Sequence, residues 1–196
     1  MFKRFLFLIC ITFALASCQH ETVFTEVKVN DRYAILIPDY LQPCADLHKD
    51  ASLQYQNVEK DIYAIVIDEK KITMQGYDLD YDLDLYFKSI ASQPFLETIK
   101  DGKVSIPELR QIDGHKASVA EITGKIDGTE VYYKLAVVET DYEFYQLLVW
   151  TRAENKGKFE TDMIKMIESF KELSHPKEEL PQPKMSDSVS IVPTTS

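Results

Sequence analysis

Glycine is scarce in this 196-residue chain, with six in all, and that scarcity excludes most phosphate chemistry. Loops that cradle phosphates need several closely spaced glycines, and no Walker A or dinucleotide-binding pattern occurs. Neither G-x-S-x-G nor H-E-x-x-H is present, so the common hydrolase and zinc-protease arrangements are absent as well. Basic charge is in short supply too: 22 Lys and Arg stand against 32 Asp and Glu, a formal net charge of −10. A chain so acidic is a poor partner for nucleic acid or for an anionic lipid surface. Long apolar runs are also missing, the longest being Phe5 to Leu15, broken by Thr12. That is about half of the roughly 20 residues that a membrane-spanning helix needs.

What that run does fit is a targeting segment. Lys3 and Arg4 precede it and Leu15-Ala16-Ser17-Cys18 closes it, the order of a signal peptide: positive start, apolar centre, small residues at the cut. Leu15-Ala16-Ser17-Cys18 resembles the bacterial lipobox. The resemblance implies cleavage before Cys18, a diacylglyceryl group on its sulfur and a lipid bilayer as partner, reached through acylated Cys18. Acylation at both the sulfur and the new amino terminus is enough for stable anchoring. Gln19 is not the aspartate that retains lipoproteins at the inner membrane in many Gram-negative bacteria, which implies the outer membrane, facing the periplasm or the cell surface. Of three cysteines, Cys10 would leave with residues 1–17 and Cys18 would carry lipid, so Cys44 stands alone and no internal disulfide is expected.

Composition then divides the chain into a signal peptide (1–17), a tether (18–22), a domain (23–174) and a C-terminal tail (175–196). The tail holds Pro176, Pro181, Pro183 and Pro193 among Ser and Thr, too few apolar groups to offset chain entropy, and is expected to be disordered. Within the domain, Val23 to Val29 and Tyr33 to Ile37 read as strands joined at Asn30-Asp31, with Pro38 ending the second. An irregular stretch, Asp39 to Lys49, precedes strands over Ser52 to Asn57 and Ile62 to Asp68, and these are expected to form a first sheet portion. Tyr77 to Tyr86 alternates apolar and acidic residues as a strand would, while Leu79, Leu83, Phe87 and Ile90 equally fit helical spacing; of the two, a helix over about Asp80 to Ala91 is expected. Four strands follow, Ser105 to Ile112, Lys116 to Ile126, Glu130 to Thr140 and Tyr142 to Thr151, with hairpin signals at Asp113-Gly114 and Asp127-Gly128. A last helix, from Lys156 or Lys158 to Leu173, carries Phe159, Met163, Met166, Ile167 and Phe170 on one face. This order predicts an α+β class: a twisted antiparallel β-sheet covered by helices.

Five segments carry a further resemblance: Tyr33-Ala34-Ile35-Leu36-Ile37-Pro38, Asp113-Gly114-His115-Lys116-Ala117, Tyr132-Tyr133-Lys134-Leu135, Tyr145-Gln146-Leu147-Leu148-Val149-Trp150-Thr151 and Met166-Ile167-Glu168-Ser169-Phe170-Lys171. In order and spacing they resemble the PsbP/DcrB-like α/β/α sandwich across residues 23–173. That group includes photosystem extrinsic subunits and small bacterial lipoproteins, regarded mostly as assembly or binding proteins. The resemblance implies a fold and a non-catalytic role, and transfers no functional residue, because the matched positions are core and turns.

The residues themselves offer four candidate sites. Asp78, Asp80, Asp82 and Asp84 invite a weak calcium site, although neither register from Asp78 or Asp80 supplies the glycine and glutamate of an EF-hand. Cys44 and His48, four residues apart, would share a face of a short helix as a nucleophile pair. Glu121 and Glu130 would meet across a hairpin as paired carboxylates. Tyr133, Phe144, Tyr145 and Trp150 lie on adjacent strands and suggest an aromatic groove for a peptide, glycan or lipid moiety. No cofactor and no metal is implied. The first expectation is a membrane-anchored, non-catalytic binding or assembly module with an envelope protein partner. The alternatives are an envelope enzyme using Cys44 or carboxylates, and a weak calcium-binding domain.

Overall fold

Hairpin chemistry sets most of the topology. The computed structural model of the chain describes residues 21–75 and 81–174. Asp113 and Gly114 have φ of 51° and 82°, and Asp127 and Gly128 have 48° and 81°. Two successive positive φ values make the tight turn whose twist matches antiparallel strands, and an aspartate followed by glycine tolerates it. These turns join β7 (Glu108–Ile112), β8 (His115–Ile126) and β9 (Thr129–Glu139). β10 (Glu143–Arg152) continues the meander beside β9.

The expected four-strand meander therefore forms, but its first strand is shorter than Ser105 to Ile112. Pro107 lacks an N–H for the ladder, so that strand begins only with β7, and an unexpected β6 (Lys100–Val104) lies before it; the two share the edge of β8 end to end. Gly124 on β8 permits β6 to start there, because a Cβ at that position would lie 2.2 Å from Cγ2 of Ile99.

The N-terminal strands are divided between two sheets rather than forming one portion. β3 (Gln42–Pro43), β4 (Ala51–Asn57) and β5 (Ile62–Lys70) extend the large sheet beyond β10, giving the order β3-β4-β5-β10-β9-β8-β6. β1 (Phe24–Val29) and β2 (Tyr33–Pro38) form a separate small sheet with β11 (Lys171–Glu172). That last strand occupies residues expected to be helical. The helix α4 (Lys156–Glu168) stops because Ser169 Oγ donates to the Met166 carbonyl at 2.7 Å and accepts from the Leu36 amide at 2.9 Å. The chain is thereby handed to the open edge of β2, where Lys171 and Glu172 pair with Ala34 and Tyr33.

Both faces of the large sheet are apolar, and each has its own cover. On one face Ala64, Val66, Tyr132, Ala136, Val138, Tyr145, Leu147 and Val149 meet β2 and the Phe159, Met163, Met166 and Ile167 side of α4. On the other, Tyr133, Leu135, Val137 and Phe144 meet the helical stretch of α2 (Leu83–Tyr86), a π-helical turn (Phe87–Ser92) and α3 (Gln93–Glu97). A short α1 (Lys71–Gln75) precedes it.

The helix begins at Leu83 rather than Asp80, with Asp82 accepting from the Leu85 amide at 2.8 Å as its cap. It also runs past Ala91, the expected end. Pro94 has no N–H and its ring crowds the carbonyl four residues back, so the turn before it widens to five-residue bonds such as Gln93 N–H to the Lys88 carbonyl.

One ion cluster ties the small sheet to the large one. Arg32 follows Asn30 and Asp31, both at positive φ, and reaches Asp68 on β5 at 2.5 Å and Glu143 on β10 at 3.3 Å. Replacing Arg32 with Met leaves two carboxylates facing each other in a largely dry site. Removing one partner of such a pair costs about 3 kcal/mol, and urea unfolding of the variant checks this; an unchanged midpoint would show that the tie contributes nothing.

Alkaline pH gives a second expectation. Burial raises the phenol pKa of Tyr33, Tyr86, Tyr132 and Tyr145 above the ordinary value, and pushes Tyr133 up to about 12. Above pH ~10, where tyrosine in the unfolded chain ionises, that state releases protons the folded one retains. Stability is therefore full below that pH and falls as pH rises above it. Tyrosinate absorbance should appear together with loss of tertiary signal; ionisation of these tyrosines in the intact fold would contradict this.

Candidate functional site

The helical cover is too short for the face it lies on. Residues 83–97 shield the β8, β9 and upper β10 part of the sheet, and beyond them the floor made by β5 and the far half of β10 is left open. Register fixes what that floor carries: Ile65 lies opposite Leu148, Ile67 opposite Gln146, and Tyr63 opposite Trp150, which in turn lies opposite Tyr133 on β9. The result is a groove of about 940 Å³ whose floor is Ile65, Ile67, Leu135, Leu148, Tyr133 and Trp150. Ile90, Ala91, Pro94 and Phe95 of the helical stretch form one wall, with Met74 of α1 beside them. Leu47, His48 and Asp50, from the loop before β4, also reach its rim. The volume lies in the range of small-molecule sites, which are concave, mostly apolar and furnished with few polar groups.

The aromatic rings are spent on each other. Trp150 stacks with Tyr63 on one side, centroids 5.2 Å apart and planes 15° from parallel, and with Tyr133 on the other, at 5.6 Å and 22°. Phe95 then meets Tyr133 edge-on at 4.7 Å. Both faces of the indole are thus covered, and its edge faces the groove. The floor strands β5, β9 and β10 are interior to the sheet, paired on both sides, so their backbone groups are committed to the ladder.

Polar groups gather where the helical stretch meets the sheet. Tyr86 donates a short hydrogen bond to Glu69, and Gln146 Nε2 donates to the Tyr86 oxygen at 2.8 Å. Burial comes first among the causes that raise the Tyr86 phenol pKa, with the Glu69 carboxylate adding to it. Lys71 beside them bonds Glu139 at 2.8 Å and sits 4.7 Å above the Phe144 ring.

Tyr133 and Trp150 accordingly line the groove, whereas Phe144 and Tyr145 do not. Phe144 shares the groove face of β10 but is fully buried under Tyr86, stacked at 4.1 Å. Tyr145 points to the opposite face, where it packs edge-on against Tyr33 at 5.3 Å and against Phe170 at 4.8 Å. Strand alternation separates Tyr145 from the others; only the long-range cover by Tyr86 separates Phe144. Ile65, Ile67 and Leu148 belong to the groove without having been singled out in the sequence: alternation along β5 and β10 fixes which face they take, but not which part of that face lacks a cover.

The chemical alternatives lose their geometry. Burial and the neighbouring Asp46 raise the Cys44 thiol pKa, which opposes the thiolate a nucleophile requires. His48 is exposed, and its Nδ1 accepts the Asp50 amide at 3.2 Å, so no Cys44–His48 pair is assembled. Glu121 and Glu130 do not meet: Glu121 lies opposite Lys134 and Glu130 opposite Lys125. Glu121 is instead held by Lys156 at 3.0 Å and Lys134 at 3.4 Å. Asp82 caps its helix and Asp84 pairs with Lys88 at 2.7 Å, while Asp78 and Asp80 lie outside the described residues, as does Cys18. Among the described residues, no group of three or more His, Cys, Asp and Glu is placed to hold a metal ion.

No family model matches this sequence, and no curated protein matches it. Solved structures do resemble it in fold. A cyanobacterial PsbP from Synechocystis, CyanoP, superposes with a TM-score of 0.54 at 14% identity, over 81% of this chain and 98% of that one. LpqN of Mycobacterium tuberculosis, described as involved in cell envelope biogenesis, gives 0.53 at 11% identity, over 79% and 92%. A structure from Bacteroides thetaiotaomicron gives 0.51 at 12%, over 76% of this chain and 47% of that one. At such identities the likeness establishes architecture and nothing more: an antiparallel sheet flanked by helices, in the PsbP-like sandwich arrangement.

Proposed function

We propose that this chain is a non-catalytic binding or assembly module of the cell envelope, tethered by an acyl group on Cys18, whose half-open groove seats an aliphatic part of its ligand. The observation that carries the reading is the uncovered apolar floor around Trp150. A folded chain this acidic in solution has no reason to leave Ile67, Leu148 and Trp150 half-buried beside a cavity of about 940 Å³ unless something else covers them.

The chemistry of the walls selects among ligands. A sugar stacks on an aromatic face, and both faces of Trp150 are taken by Tyr63 and Tyr133. An extended peptide needs backbone partners, and the floor strands have none to spare. An alkyl chain needs only apolar contact, which the floor and the Ile90, Phe95 and Met74 walls supply. Each buried methylene contributes about 0.8 kcal/mol.

The envelope address rests on the lipobox-like Leu15-Ala16-Ser17-Cys18, with Gln19 favouring the outer membrane, at its periplasmic or surface face. In this reading residues 1–17 are removed, 18–22 form the tether, 23–174 the domain and 175–196 a polar tail. Support for the general location comes from LpqN, a protein of similar fold involved in cell envelope biogenesis. The direction of the tether fits as well. Thr22 donates to Asp162 of α4 at 3.0 Å, so the chain enters the domain on the α4 side, across the sheet from the groove. Residues 18–21 span at most ~14 Å, which keeps the α4 side at the bilayer and turns the groove to the aqueous phase. There the ligand is exchanged with an envelope protein partner.

Two measurements test this. Labelled palmitate should enter the wild-type chain and not Cys18→Ala; no label, or equal label in both, removes the anchor. Trp150 is the only tryptophan, so its emission reports on the groove directly. Dodecyl maltoside, kept below its micelle concentration, should shift that emission saturably to shorter wavelength. Leu148→Asp should weaken the response by about tenfold or more, the scale of one lost apolar side-chain contact. A non-saturable response, or one unchanged in Leu148→Asp, refutes an aliphatic site.

A further inference from the structure

The second unsatisfied surface of the domain lies at the edge of the large sheet, away from the groove. β7 pairs with β8 alone among the described residues, and it carries the most exposed apolar side chains of the fold: Leu109 is 80% exposed, and Ile106, just before the strand, 91%. The tight Asp113-Gly114 turn makes Ile112 and His115 a hydrogen-bonded pair. By alternation, Arg110 and Glu108 also direct their backbone groups to β8, while Leu109 and Gln111 direct theirs outward. The carbonyl of Pro107 points outward too, without an N–H beside it.

We infer that this edge pairs antiparallel with the β7 edge of a second copy of the chain, Leu109 opposite Leu109. Electrostatics selects the register. A shift by one step in one direction sets Arg110 against Arg110, and a shift in the other sets Glu108 against Glu108; like charges directly opposite oppose pairing. With Leu109 on the axis, Glu108 of each copy faces Arg110 of the other, on both sides. Two bonds link the Leu109 backbones, and each Gln111 N–H meets the Pro107 carbonyl of the second copy, the one backbone group that proline can still offer. The Leu109 side chains then cover each other.

The symmetry of this pairing agrees with a tethered protein, although the pairing itself does not rest on the tether. Antiparallel strands in one sheet are related by a two-fold axis normal to the sheet. The α4 faces of both copies therefore point the same way, and so do the entry points at Thr22. Two anchors can reach one membrane while both grooves face away from it. Confinement to a membrane plane raises the effective concentration for an interface this small.

Disulfide trapping in membranes of cells expressing the full chain tests the register, in a Cys44→Ser background. Opposed residues in a hydrogen-bonded pair have Cα atoms about 5.5 Å apart, inside the ~4.4–6.8 Å that a disulfide needs. Leu109→Cys should give a linked dimer several-fold above both the background and Arg110→Cys, which this register offsets from its own copy by two residues. Adding Glu108→Arg should abolish the dimer, and the double swap Glu108→Arg with Arg110→Glu should restore it. The inference is overturned if Arg110→Cys links as well as Leu109→Cys, or if Glu108→Arg changes nothing. It is equally overturned if the dimer forms only after truncation behind Ser174, since the tail would then be the natural occupant of the edge. Failure here with palmitate labelling and the Trp150 response intact would leave the groove reading standing.

Discussion

A sheet that is apolar on both faces must be covered twice, and the rest of this structure follows from how unevenly that is done. β9 and β10 place Tyr132, Ala136, Val138, Tyr145, Leu147 and Val149 on one side and Tyr133, Leu135, Val137, Phe144, Leu148 and Trp150 on the other. The first side receives α4 and the small sheet, locked by Phe170 against Tyr33 and by Arg32 reaching Asp68 and Glu143. That cover leaves Met163 and Met166 with no exposure at all. The second side receives only the stretch 83–97, and its shortfall is the groove.

The shortfall has a covalent cause as well as a geometric one. Pro94 widens the helix into a π turn, and Thr98 and Ile99 bring the chain straight to β6, where Gly124 allows close approach. The helix therefore ends over β8 and β9 and touches β5 only at its near end, through the Tyr86–Glu69 bond. Tyr86, anchored by Glu69 and Gln146, marks the line at which cover stops: Phe144 lies beneath it, and Leu148 and Trp150 lie beyond it.

How much of this was legible depended on the range of the interaction. Local signals carried far: two Asp-Gly pairs place the hairpins and with them β8 and β9, and helical spacing in 156–168 places α4. Medium-range events were missed. Nothing in Lys171-Glu172 marks it as a strand, because its partners are the free groups of β2, and Pro107 sits inside the expected strand Ser105 to Ile112 although its missing N–H argues for a break. In the site, alternation along 143–152 puts Phe144 and Trp150 on one face and Tyr145 on the other, so Tyr145 could not share a groove with them. That Phe144 is covered and Leu148 only half so depends on where a helix from residues 83–97 settles, and no spacing in the sequence encodes that distance. Arg32 carried no signal at all, being a single cation in a polar turn until Asp68 and Glu143 are brought to it.

The claim at the centre is that the open half of the second face, and not the covered first face, is where a ligand sits. Methyl spectra of isotope-labelled protein, recorded with and without dodecyl maltoside, separate the two faces in a single sample. A ligand in the open half moves the resonances of Ile65, Ile67, Ile90 and Leu148 while those of Ile35, Ile37, Ile62 and Ile167 stay in place. Equal movement of both sets, or movement of the second set alone, would contradict it.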